Sequence, residues 1–160
     1  MYTVEEYLHM IQLNLDKQTK EVVGTLADLK SITFAPEVKA LFIESSLGDP
    51  KIILDLITRE DMFNNVDEDE VKEGFAGNIK LTDEFLFDEW DKNDADIEFY
   101  IENDLEELSI AEIAGWVKEC FDKAQGEQLP LPVYFNVHDD TTYVLDLKIG
   151  EWIEPEEVEL

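Results

Sequence analysis

Val4, Leu8, Ile11 and Leu15 recur at the three- and four-residue spacing of one helix face. Thr3-Val4-Glu5-Glu6 precedes them as a capping box, in which a hydroxyl and a carboxylate each satisfy a free amide of the first turn. This predicts a helix from Val4 to about Lys17. Lys30–Phe34 reads as a short strand. Pro36–Ser46 fits two templates: Val38, Leu41 and Phe42 make a helical stripe, and Val38, Ala40 and Phe42 make one face of a strand. Gly48-Asp49-Pro50 is a turn signal, and Lys51–Thr58 is short, β-branched and nearly all apolar, as a buried strand is.

Glu60–Gly77 is acidic and glycine-terminated, which predicts a surface connection with one helical turn. Thr82 is placed to cap a short helix running to Trp90. Asp91–Asp96 reads as a turn-rich loop, and Ile97, Phe99 and Ile101 alternate as in a strand. Ser109-Ile110-Ala111-Glu112 forms a second capping box before a broad apolar face from Ile110 to Ala124, with Gly126 at the C-cap. Pro130 and Pro132 separate that helix from a strand at Val133–Val137. Asp139-Asp140-Thr141 then turns the chain into Tyr143–Lys148, an antiparallel hairpin, and Trp152, Ile153 and Pro155 pin the tail. With no repeat and no linker, residues 1–160 read as one α+β domain, a mainly antiparallel sheet with helices packed against it.

Charge changes this picture. Forty acidic residues face 12 basic ones, a formal net of −28 at pH 7, while 44% of residues are hydrophobic. A chain with that apolar content folds, so the carboxylates must cover its outside. They are unevenly placed: Glu60–Glu107 holds 19 acids and 3 bases, whereas Met1–Arg59 holds 9 and 6. An anionic surface disfavours nucleic acid and acidic lipid as direct ligands, since both are polyanions. No apolar run approaches the roughly 18 residues of a membrane span, and no signal peptide is visible. One cysteine excludes an internal disulfide, and the cytoplasm is the expected compartment.

Candidate chemistry is sparse. His9, His138 and Cys120 lie far apart without zinc-ligand spacing, so no metal and no cofactor are expected. Cys120 falls on the apolar face of the second capped helix, where burial raises a thiol pKa rather than activating it. Asp91, Asn93 and Glu102 occupy positions one, three and twelve of a calcium loop, but Ala95 and Asp96 replace a ligand and the turn glycine. There is no phosphate-binding glycine loop. Phe85, Phe87, Trp90, Phe99 and Tyr100 lie within the most acidic segment, as core residues or as interface anchors.

Ile32-Thr33-Phe34-Ala35-Pro36-Glu37-Val38-Lys39-Ala40-Leu41-Phe42-Ile43-Glu44, followed by Gly48-Asp49-Pro50, resembles the SUKH superfamily of bacterial immunity proteins. That family pairs an LPxxYxxFL-type helix start with a glycine turn. Here Ala35 replaces the leucine, Val38 the aromatic residue, and Gly48 stands for a double glycine. Tyr143–Leu147 before Gly150-Glu151-Trp152 is similar to the end of that fold. The resemblance implies an α+β domain that neutralises a toxin, often a nuclease, without catalysis, and it implies a helix at Pro36–Ser46. If it does not hold, Pro36–Ser46 and Lys51–Thr58 pair as a hairpin.

The expected function is therefore a non-enzymatic acidic domain that binds a basic protein, such as a toxin, through Asp88, Glu89, Trp90, Asp91, Asp94 and Asp96. A DNA mimic with its acids in one stripe, a two-carboxylate enzyme and an acidity that serves only solubility are the competing readings.

Overall fold

The computed structural model describes residues 3–48, 51–82, 85–86, 94–140 and 142–160. Helices α1 (Val4–Asp16), α2 (Thr19–Asp28), α3 (Asp94–Glu102) and α4 (Leu105–Lys123) cover one face of a mixed sheet. Its strands are β1 (Ala40–Gly48), β2 (Lys51–Arg59), β3 (Asn78–Lys80), β4 (Phe85–Leu86), β5 (Val133–Val137), β6 (Val144–Asp146) and β7 (Glu151–Ile153). The order is β3-β2-β1-β5-β6-β7, with β4 beside β3 on the outer edge of β2. The fold is α+β, and among the described strands every pairing is antiparallel except β1 with β5. Parallel neighbours need a crossover, and the chain returns through α3 and α4 to make it.

Side chains alternate across the strands, and two cores result. Leu41, Ile43, Leu54, Leu56, Val133 and Phe135 face the helices and meet Tyr7, Ile11, Val117 and Phe121. The opposite face carries Ala40, Phe42, Ile57 and Tyr134, closed at one end by Met62, Ile153 and Val158. Burying each large side chain contributes about 1.5–3 kcal/mol, so the first core dominates stability.

Several elements follow the sequence pattern. Thr3 Oγ1 accepts from Glu6 N at 3.1 Å and Glu6 Oε2 accepts from Thr3 N at 2.9 Å, the reciprocal cap of α1. The β1–β2 hairpin pairs Ala40 with Arg59 through Gly48 with Lys51, and Tyr134 pairs Asp146 in the later hairpin. The acidic connection at 60–77 has its single turn at Glu68–Glu70.

Others differ, each for a physical reason. Pro36–Ser46 holds no helix: from Ala40 onward it is β1, buried on both faces, so the helix implied by the family resemblance is replaced by the hairpin. Lys30–Phe34 is no strand. Lys30 and Ser31 instead continue α2 as a 3-10 turn at Leu29–Ser31, because Val22, Leu26 and Leu29 extend a helical stripe that buries all three, and of the expected strand Phe34 makes an isolated parallel bridge to Phe75. The helix expected from Thr82 to Trp90 is interrupted by a strand at Phe85–Leu86; the buried Thr82 hydroxyl accepts from Leu54 N at 3.1 Å, and residues 83–84 and 87–90 of that expectation lie outside the described residues.

Asp94–Glu102 is helix rather than loop and strand. Phe99 and Tyr100, adjacent in sequence, both pack on the core, which one face of a strand could not allow, and Ile101 is 68% exposed. The backbone of Asp94 and Asp96 lies in the first turn of that helix. The helix predicted after Ser109 begins a turn earlier at fully buried Leu105, reached through Asp104 in left-handed conformation. Ser109 is therefore not a cap. At the other end Gln125, not Gly126, takes the left-handed position. Gly126 is needed for space, since a Cβ there would stand 2.2 Å from the buried ring of Phe121.

Candidate functional site: the carboxylate surface

Asp88, Glu89, Trp90 and Asp91 lie outside the described residues, as do Phe87 and the first three positions of the expected calcium loop. Asp94 and Asp96 are placed by the backbone of α3. From Asp94 onward that calcium loop is helical, so its ligand spacing does not survive. Among the described residues no group of three or more His, Cys, Asp or Glu could hold a metal ion.

The densest described run of acid is Asp67–Glu70, four consecutive exposed carboxylates on the connection between β2 and β3. Glu70 N donates to Asp67 O at 3.0 Å, and Asp67 and Glu70 cap the turn reciprocally, Asp67 N donating to Glu70 Oε2 at 3.3 Å, while all four residues stay exposed. With Phe75 and Asn78 they border a concavity of about 540 Å³. Thr58, at the end of β2, anchors this segment. Its buried Oγ1 lies 2.9 Å from Val66 O and 3.1 Å from Gly77 O, and accepts from Gly77 N at 2.8 Å. Phe75 N donates to Thr33 O, and the rings of Phe34 and Phe75 meet edge-on at 6.2 Å. The carboxylates thus stand on a fixed frame rather than on a free loop.

The sheet's helix-free face carries a second polar group, which the sequence reading did not assemble. Glu44 of β1 stands at its centre, with Asp55 and Asn136 as its cross-strand neighbours. Arg59 Nη2 donates to Glu44 Oε2 at 3.2 Å, Asn136 Nδ2 donates to the same oxygen at 3.2 Å, and His138 Nδ1 lies 2.8 Å from Oε1. Arg59 also donates to Asn65 Oδ1 and Met62 O, both at 3.0 Å, and its guanidinium covers the Phe42 ring at 4.0 Å. The mostly buried Arg59 therefore ties the open sheet face to the acidic connection. Alternation along β1, β2 and β5 would have put Glu44, Arg59 and Asn136 on one face once the pairing was known.

The electrostatics follow from this packing. The hydrogen bond to the Glu44 carboxylate, its charge and that of Asp139 raise the His138 pKa above 6.5. Burial raises that of Asp55, against the pull of Lys80. Asn64 and the Phe63 amide hold Asp61 below the usual carboxylate range. Cys120 lies on the buried face of α4, and burial pushes its thiol up to about 12, so it is a core side chain and no nucleophile at neutral pH. A carboxylate-oriented imidazole is a component of acid–base chemistry.

No family model matches this chain, and no curated protein does. Among the described residues, no helix is long and apolar enough to cross a membrane.

Proposed function

We propose that this chain is a non-enzymatic protein-binding domain whose carboxylate surface captures a cationic protein, in its sharpest form an immunity-type inhibitor of a basic toxin such as a nuclease. The observation that carries the reading is the charge surplus on a rigid frame. Twelve cations cannot pair with 40 acids, and the exposed run Asp67–Glu70 is anchored through Thr58 and Phe75. Like charges held together repel one another, and a partner of opposite sign relieves that repulsion. Complementary charge steers encounter and raises association rates by roughly 10–10³, with steep loss in salt. A cationic substrate cleft covered in this way is occluded without chemistry at the acidic partner. Cytoplasmic placement belongs to the same proposal.

The test is affinity capture from the source organism at low salt, followed by a salt gradient. A stoichiometric basic protein should elute only at high salt, and charge reversal across Asp67–Glu70 or across residues 88–96 should weaken it. Retention that ignores both salt and charge reversal contradicts the reading.

A further inference from the structure

A groove runs along α4 above the β6–β7 edge of the sheet. Two adjoining concavities of about 500 and about 400 Å³ form it, and Glu107, Ile110 and Trp152 line both. The sheet supplies Leu145 and Trp152 as the floor, and α4 supplies Ile110, Ala111, Ala114 and Gly115 as one wall. Helices α1, α2 and α3 all pack on α4 but leave this flank uncovered. Seven large apolar residues are exposed among those described, and two of them, Tyr143 and Trp152, line this groove. Half-exposed Trp and Tyr beside an apolar floor are the side chains that dominate protein interfaces.

Shape and charge commit the groove to one kind of occupant. Neighbouring helices pack about 8–10 Å apart, and small residues facing the contact let them approach. Ala111 and Gly115 stand one turn apart on the wall, and a Cβ added at Gly115 would meet nothing within 4 Å. The helical layer can therefore accept one more member over β6 and β7. Glu107 and Asp140 bring carboxylates to the rim. Lys118, the one cation in the lining, gives its ammonium to Asp122 at 2.7 Å. We propose that this groove docks an amphipathic helix of the cationic partner. Its apolar stripe covers Ile110 and Trp152, and its lysines or arginines face Glu107 and Asp140. The inference rests on the reading above and adds the place and form of the contact.

The probe is a synthetic peptide of about eighteen residues, long enough to hold a helix, with leucines at helical spacing and lysines elsewhere. Two controls accompany it: the same composition scrambled, and the same pattern with glutamates for lysines. Binding is followed by amide chemical shifts of the full chain and of Gly115→Leu, whose side chain fills the groove; its melting curve confirms the fold. The patterned peptide should bind about tenfold more tightly than the scrambled one. Shifts should concentrate on α4 and residues 143–152, and Gly115→Leu should remove the advantage. Equal binding of patterned and scrambled peptides overturns the proposal. So does an undiminished advantage in folded Gly115→Leu, or equal binding of the glutamate version. Self-association of the chain in sedimentation, abolished by Gly115→Leu, would give the groove to a second copy instead. If a captured basic protein keeps its salt-dependent binding to Gly115→Leu, the groove fails and the cationic-partner reading stands. If no such protein is captured, that reading fails by itself.

Discussion

The indole of Trp152 meets the buried ring of Phe135 edge-on, centroids 6.3 Å apart, while 47% of Trp152 remains exposed. The core side of the ring fixes its position, and the free side is available for contact. Aromatic pairs of this geometry contribute about 0.5–1.5 kcal/mol beyond their buried area. Trp152→Ala should therefore cost roughly 1–2 kcal/mol in urea unfolding, below the 3–5 typical of a fully buried aromatic. A cost in that higher range would mean the ring is primarily a core side chain.

Thr58→Val keeps the shape of the side chain and removes the hydroxyl that holds Val66 and Gly77. The Gly77 amide loses its acceptor, so a loss of about 1–3 kcal/mol is expected. Hydrogen exchange should accelerate at residues 66–77 and leave α4 unchanged. Unaltered protection in that segment would show that Thr58 does not anchor the acidic connection.

Glu44 and Arg59 form a mostly buried pair, with side chains 12% and 11% exposed. Removing either partner leaves a poorly solvated charge or its dependents, so Glu44→Ala and Arg59→Ala should each cost roughly 2–4 kcal/mol. Changing both should cost less than the sum by about 1 kcal/mol or more in a double-mutant cycle. Strict additivity would show that the two act independently.

His138 gives a pH dependence of fixed sign. Its folded pKa lies above the 6.5 of the free side chain, so the fold favours the imidazolium. The resulting stability is fully present below about pH 6.5 and is lost as pH rises through the higher folded value. The destabilisation caused by His138→Gln should be larger near pH 5.5 than near pH 8.5, measured by urea unfolding at about those values. A difference that grows with pH would contradict the contact with Glu44.

What the chain order revealed was local. The reciprocal cap at Thr3 and Glu6, the run Lys51–Thr58 and the hairpin ending in Tyr143–Lys148 each depend on neighbours a few residues away. Ile97, Phe99 and Ile101 misled because alternation over five residues also fits a helix, and only packing of Phe99 with Tyr100 decides between them. Ser109 misled because a capping-box pattern is equally at home inside a helix. Its hydroxyl donates to Leu105 O within the helix and lies 3.1 Å from Tyr7 Oη, a partner 102 positions away. The Glu44 group and the α4 groove were illegible because they assemble from β1, β2, β5, β6, β7 and α4 across long sequence separations. The acidity was legible in full, since composition needs no contacts.

The central claim is that this acidity recruits a cationic protein. The most direct measurement is the association rate constant with the captured basic partner, followed from about 20 to about 500 mM salt. The account predicts a fall of roughly 10–10³-fold, with a dissociation rate that changes far less. An association rate that stays flat across that range would contradict it.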